Sequence, residues 1–294
     1  MAEAVTRDVD AGLSGADPRR STLAADLDPL RVFLGQHARL FVLTGAGVST
    51  ESGIPDYRDS GGEWKRPSRP VMFRDFMTQP ATRKRYWARG VVGWQHLHRA
   101  APNDAHRALA RLERAGRVEL LVTQNVDRLH QAAGSGAVVD LHGRADVVRC
   151  MGCERRISRA DLHAELVTLN PAWADLGADA APDGDADVAD ADYESFRVPD
   201  CAACGGTLKP DVVFFGESVP KERVARAMQA LADADAALVV GSSLMVFSGY
   251  RFARAAAELG KPIAAVNLGR TRADGVLTLK VEAACASALA ACVA

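Results

Sequence analysis

Four short apolar runs constrain the fold of this chain more than any other feature. They lie in "ARLFVLTGAG", "VELLVTQN", "AALVVGSS" and "KPIAAVNLG". Each is rich in Val, Leu and Ile and breaks off into glycine or small polar residues. None alternates apolar with polar side chains. Continuous runs of this length suit strands covered on both faces, as in a parallel sheet flanked by helices. The intervening segments carry helical periodicity. They predict helices at 24–36, 80–98, 104–115, 221–233 and 248–259, with Asp104 after Pro102-Asn103 as a helix start.

Six cysteines are present, and four of them form two Cys-x-x-Cys pairs, Cys150/Cys153 and Cys201/Cys204. No export signal precedes them, so a metal reads better than a disulfide framework. Zinc takes four tetrahedral thiolates from two such knuckles, and four thiolates leave no position open for catalysis. A thiol set without metal is the alternative. Between the pairs lies "DLGADAAPDGDADVADAD", an acidic run that reads as a solvated insertion. Asp183, Asp185, Asp187 and Glu194 have the spacing of a calcium loop, but Val188 stands where such a loop needs glycine. The expected fold class is therefore α/β: a Rossmann-like parallel sheet with helices on both faces, plus a small zinc-binding module.

At 294 residues with 48% hydrophobic side chains, the chain can bury a large domain and a small one. Its net charge of −1 gives no general attraction to nucleic acid or anionic membrane, and neither is expected as a partner. No run approaches the ~20 apolar residues of a membrane span. The N-terminus carries Glu3, Asp8, Asp10 and Asp17 without an apolar core, unlike a signal or transit peptide. Residues 1–22 read as a disordered tail, and a cytoplasmic protein is expected.

Chemistry concentrates where the apolar runs stop. "LTGAGVSTESG" ends one run in glycines that would let backbone N–H groups approach a diphosphate. Ser49 or Thr50 stands where a dehydrogenase fingerprint has its third glycine, and no acidic residue closes a second strand ~20 residues on. A plain tight turn is the other reading. "TQNVDRLH" places Gln124, Asn125 and Asp127 at a strand end, where an amide pair and a carboxylate could hold a small molecule or simply begin a helix. "VVDLHG" places His142 after another apolar run, as a candidate general base or a structural histidine. His106 and His130, on predicted helices, read as structural.

Together, "GAGVSTESGIPDYR" (45–58), "TQNVD" (123–127), "LHG" (141–143), the cysteine pairs, "LKPDVVFFGE" (208–217), "VVGSSL" (239–244) and "VNLG" (266–269) resemble the sirtuin family, the NAD-dependent protein-lysine deacylases. The wording is most similar to class II sirtuins in "STESGIPDYR", "RYWAR", "APDGD" and "VFSGYRF". The resemblance implies NAD as co-substrate, one structural zinc ion, and an acyl-lysine protein or peptide as partner. It divides the chain into a Rossmann-like NAD-binding domain, 23–148 with 208–294, and a zinc module with an acidic insertion over 149–207.

The resemblance also implies roles. Gly45, Ala46 and Gly47 would cradle phosphates, with Ser49, Asp56, Tyr57 and Arg58 on the cofactor loop. Gln124 would meet the nicotinamide ribose, and Asn125, Val126 and Asp127 would line the nicotinamide pocket, with Asp127 on the carboxamide. Gly241, Ser242, Ser243, Asn267, Leu268 and Gly269 would complete the cofactor site, and Cys285 would touch the adenine or remain a core thiol. His142 would be the base, with Asn125 and Asp127 as its catalytic companions. Val213, Phe215, Gly216 and Glu217 would contact the substrate peptide, while Tyr86 and Arg89 could hold an acidic acyl chain. The implied reaction sends the acyl oxygen to the ribose carbon as nicotinamide leaves; His142 takes a proton from a ribose hydroxyl, which attacks the imidate, and water completes the release of free lysine and O-acyl-ADP-ribose. Mono-ADP-ribosyl transfer is the alternative, and an NAD-binding protein without turnover a third reading. Ser248 departs from the proline of many members, and Tyr57 from a common phenylalanine.

Overall fold

The computed structural model describes residues 27–65, 70–173, 176, 182–186, 188 and 191–293. The expected tail over 1–22 lies outside the described residues. The strands are β1 (Leu40–Thr44), β2 (Val118–Thr123), β3 (Val138–Asp140), β4 (Gly143–Cys150), β5 (Arg156–Ser158), β6 (Leu208–Val212), β7 (Ala236–Val240), β8 (Ile263–Val266) and β9 (Leu279–Val281). The helices are α1 (Asp28–Gln36), α2 (Phe73–Thr78), α3 (Pro80–Arg99), α4 (Asp104–Arg114), α5 (Leu129–Ala132), α6 (Arg159–Leu169), α7 (Lys221–Asp233), α8 (Phe247–Glu258) and α9 (Cys285–Cys292). The four long apolar runs are β1, β2, β7 and β8, and the five expected helices are α1, α3, α4, α7 and α8.

Six strands form one parallel sheet in the order β3-β2-β1-β7-β8-β9. All five residues of β1 are buried because alternate side chains serve opposite faces. Leu40 and Val42 join Leu30, Phe33, Leu109 and Leu289 on one face; Phe41 and Leu43 join Leu231 and Phe252 on the other. Such double coverage is why the runs do not alternate. The strand order reverses between β1 and β7, and a crevice opens at the carboxyl ends of strands there. Register decides what reaches it. Thr44 is level with both Thr123 and Val240, Val240 with Val266, and Thr123 with Asp140. Gly45, Gln124, Gly241, Asn267 and Leu141 are thus the next residues out along one line.

The remaining strands form an antiparallel sheet, β5-β4-β6. Its core extends past the 149–207 expected from the cysteines. Phe76, Trp87 and Val91 of α2 and α3 pack with Val148, Leu162, Trp173, Phe196 and Phe214. The physical reason is pairing: β4 starts at Gly143 because its partner, β6, runs to Val212. The described part of the acidic insertion is not simply solvated. Asp185 accepts two hydrogen bonds from Arg89, at 2.9 and 2.8 Å, and a Cβ on Gly93 of α3 would lie 2.3 Å from the Asp185 carbonyl oxygen.

At the end of the small sheet, the sulfurs of Cys150, Cys153, Cys201 and Cys204 all lie within 4.8 Å of one another. The Cys150–Cys204 and Cys153–Cys201 separations are 3.5 and 3.8 Å. Ligands ~2.3 Å from a tetrahedral zinc stand about 3.8 Å apart, so the set fits one ion. A Cβ on Gly206 would sit 2.9 Å from the Cys150 sulfur, which explains a glycine there. Cys150→Ser should release the zinc and lower the melting temperature of the protein. A metal-free variant that melts with the wild type, read by calorimetry and elemental analysis, would overturn that role.

Candidate functional site

A cavity of about 600 Å³ opens at the switch point between β1 and β7. Its floor is the line of residues that follow the strand ends. Gly45, Ala46 and Gly47 line it beside Gly241, Ser242 and Ser243. The two loops touch backbone to backbone: Gly47 N–H donates to the Gly241 carbonyl at 2.8 Å, and a Cβ on Gly47 would lie 2.9 Å from that oxygen. Gly241 has φ +61°, and a Cβ there would come within 2.2 Å of Val48 N. No L side chain fits, so the cradle is built of bare backbone, as a diphosphate requires.

Gln124 ties the floor together. Its amide nitrogen donates to Ser242 Oγ at 2.8 Å and to the Thr44 carbonyl at 3.2 Å, joining β1 and β7. Asn125 and Val126 follow it into the cavity wall. Asp127 and Ser49 stand just behind: Ser49 Oγ donates to Asp127 at 2.7 Å, and Asn125 Nδ2 donates to Ser49 Oγ at 3.1 Å. Asn267 and Leu268 line the far side. Above, Asp56, Tyr57, Arg58 and Trp64 form a loop wall, with the Arg58 guanidinium 4.2 Å from the Trp64 ring centre.

His142 faces the cavity opposite the glycine turn. Its Nδ1 lies 2.9 Å from the Gln124 carbonyl and its Nε2 lies 2.8 Å from Ser248 Oγ. A carbonyl can only accept, so Nδ1 carries the proton and Nε2 presents a lone pair to the serine hydroxyl. Burial lowers the His142 pKa, and the charges of Arg223 and Arg251 lower it further against the Gln124 hydrogen bond. The imidazole is thereby neutral near pH 7, and a group that displaces the Ser248 hydroxyl from Nε2 could give it a proton. Val213, Phe215, Gly216 and Glu217 line one side of the adjoining cleft and Leu244 to Ser248 the other.

Four expected residues fall elsewhere. Tyr86 packs against Phe76, Trp87 and Phe214 with ring centres 5.4, 5.2 and 5.3 Å away, and Arg89 is engaged by Asp185 and the Ala186 carbonyl. Neither lines the cavity. Tyr and Arg at i, i+3 share a helix face, and this face turns to the small module. Cys285 is buried in the main core, where burial and the nearby Glu51 carboxylate push its thiol up to about 12. Gly269, with φ +81°, lies against Ser60 and seats the Asp56–Trp64 loop instead of lining the cavity.

The sequence did not reveal a pair of histidines beneath the floor. His106 and His130 are both fully buried, their ring centres 4.7 Å apart. His106 Nε2 is 3.4 Å from Ser49 Oγ, and His130 Nε2 is 2.9 Å from Thr44 Oγ1. The only signal was Asn103 three residues before His106, a capping box that closes α4 beside the Ser49 turn. Ser248 and Arg251 also line the cavity; "FSGYR" places Phe247, Ser248 and Arg251 on one helical face.

A switch-point cavity with a glycine cradle, an amide-rich floor and a neutral histidine defines a dinucleotide-dependent enzyme of the sirtuin kind. The Sir2 family model matches residues 45–248, and the chain belongs to that family. It is 64% identical over 261 residues, 89% of each chain, to an NAD-dependent protein deacetylase of Xanthomonas campestris pv. campestris. It is 48% identical over 262 residues to the NAD-dependent protein deacylase Sirt4 of Drosophila melanogaster, covering 88% of this chain and 84% of that one. A solved structure of Sir2 with a p53 peptide and NAD+ superposes with a TM-score of 0.70 at 29% identity, covering 90% of this chain and 95% of the other.

The buried pair makes stability depend on pH. Desolvation lowers the His106 pKa from 6.5 to about 4, and His130 lies well below its ordinary value for the same reason. The folded state therefore binds fewer protons than the unfolded chain, and stability is full above about pH 6.5 and lost as pH falls toward 4. Urea unfolding between pH 7 and 5 should show this slope, and His106→Gln should flatten it. An unchanged slope in the variant would contradict the assignment.

Proposed function

We propose that this chain removes acyl groups from lysine side chains of proteins and consumes NAD in doing so. It is an NAD-dependent protein deacylase of the Sir2 family. The observation that carries the reading is His142, pinned at Nδ1 by the Gln124 carbonyl, with its Nε2 lone pair turned to the Ser248 hydroxyl in the cavity that the glycine cradle also lines. NAD supplies an ADP-ribosyl group joined to nicotinamide by a labile bond, and the acyl group is transferred to it.

The residues divide the work by position. Gly45, Ala46 and Gly47, with Ser242 and Ser243, hold the diphosphate, while Asn267 and Leu268 take the adenosine side. Asp56, Tyr57 and Arg58 cover the cofactor, and Gln124 meets the nicotinamide ribose. Asp127 takes the nicotinamide carboxamide, held by the Ser49 hydroxyl to which Asn125 also donates; a buried amide left unpaired would cost about 1–3 kcal/mol. His142 takes a proton at Nε2 from a ribose hydroxyl, a step with no counterpart in ADP-ribosyl transfer to another nucleophile. The acyl-lysine peptide lies as a strand between Val213–Glu217 and Leu244–Ser248. Zinc, closed by four thiolates, has no chemical part. We further propose that the enzyme acts in the cytoplasm on peptide segments; its net charge of −1 offers no general attraction to nucleic acid or anionic membrane.

Mass spectrometry of an acetyl-lysine peptide incubated with NAD should show nicotinamide and O-acetyl-ADP-ribose. His142→Ala should cut turnover by about 10²–10⁴-fold while NAD binding persists. The acid limb of kcat/KM should have its midpoint below 6.5, since His142 is lowered from that value. Acyl loss at the wild-type rate in His142→Ala would sink this reading.

A further inference from the structure

Two cations line the cavity from the α7 and α8 side. Lys221, at the start of α7, and Arg251, on α8, both line it. Glu217 lines the same stretch, but its carboxylate is already occupied by Lys209 Nζ and by the Phe214 N–H, each at 2.9 Å. On the opposite loop, Asp56 is paired with Lys65 and Asp59 accepts the Glu63 N–H at 2.9 Å. Among the described residues none of these carboxylates pairs with Arg251.

One N–H of the half-buried Arg251 is unsatisfied. The residue lies one turn on from Phe247 and Ser248, and its guanidinium sits 5.2 Å from the Phe247 ring centre. Its Nε is buried without a hydrogen-bond partner, and it forms no ion pair among the described residues. Arg254, three residues along, is by contrast paired with Glu258 at 3.2 Å. An enclosed guanidinium N–H is costly to leave unpaired, and its planar fork matches a carboxylate bidentately.

We propose that Arg251 is a carboxylate subsite of the substrate cleft, so that the enzyme favours acyl-lysine substrates carrying a carboxylate close to the acylated side chain. The assignment rests on the deacylase reading for its substrate class. Two sources present the same chemistry: the terminal carboxyl of a dicarboxylic acyl chain, and the side chain of an Asp or Glu flanking the lysine. Arg89, the residue first suggested for this task by the sequence, is held by Asp185 instead.

The test uses one peptide sequence in three forms: acetyl-lysine flanked by alanines, acetyl-lysine flanked by glutamates, and succinyl-lysine flanked by alanines. Calorimetry without NAD gives binding, and kcat/KM with NAD gives turnover, for the wild type, Arg251→Gln and Arg251→Lys. One of the two carboxylate peptides should exceed the neutral peptide by about tenfold in the wild type, and which one does identifies the source. Arg251→Gln should bring that ratio to about one, and Arg251→Lys should restore part of it. A wild type without preference, or an Arg251→Gln variant that keeps the ratio, overturns the proposal, and Lys221→Gln then shows whether the neighbouring cation holds the carboxylate. The two readings fail separately. Preferential binding without acyl loss from any peptide retires the deacylase reading and keeps the subsite, whereas turnover blind to charge does the reverse.

Discussion

The level ending of five parallel strands is the constraint on which the site depends. Thr44, Thr123, Val240, Val266 and Asp140 lie in one register line, so the chain segments that follow them emerge side by side. A parallel pair shifted by one residue would turn its buried faces inside out, and the double core tolerates no such slip. The hydrophobic packing of Leu40, Val42, Phe41 and Leu43 thus fixes, at one remove, where Gln124 and Gly241 stand. Gln124 then converts register into a rigid floor by bonding both Thr44 and Ser242, while its carbonyl orients His142.

The small module is attached to this frame through shared packing more than through a hinge. Phe214, near the cleft, is packed against Phe76 and Tyr86, and Tyr86 against Trp87 on α3. Arg159 reaches from α6 to the Gly90 carbonyl at 2.8 Å and lies 5.1 Å from the ring centres of both Trp87 and Trp94. The zinc-linked sheet, the long helix and one wall of the cleft therefore form a continuous body. Disturbing the cysteine cluster should be felt in the substrate wall even though the metal site takes no part in chemistry.

Most of the frame was legible in the sequence, because β1, β2, β7 and β8 are buried on both faces and carry unbroken apolar runs. The edge strands β3 and β9 have three residues each, too few to make a pattern. The antiparallel β4–β6 pair was hidden because its partners are more than fifty residues apart and one of them overlaps a cysteine knuckle. Residues at strand ends were readable for the same reason as the strands. Tyr86 and Arg89 were not: a shared helix face does not say which neighbour that face meets, and here it meets Asp185 and an aromatic cluster. His106 and His130 were hidden by ordinary helical positions whose burial only the packing of α4 against α5 creates. The acidic insertion misled through composition: among its described residues Asp185 pairs with Arg89, Ala186 is buried and Val188 packs on the core of the small module.

Ser248 has a consequence for how the site meets its ligand. Its hydroxyl already donates to the lone pair on His142 Nε2. In the proposed reaction a ribose hydroxyl arriving at that atom would replace one O–H donor with another, so the number of hydrogen bonds on the imidazole would be conserved. For the base the exchange is nearly even, while the displaced Ser248 hydroxyl, itself buried, has to find another acceptor. Recognition of the ribose at this atom thus adds little to affinity, and the selectivity of the pocket has to reside in the groups around it.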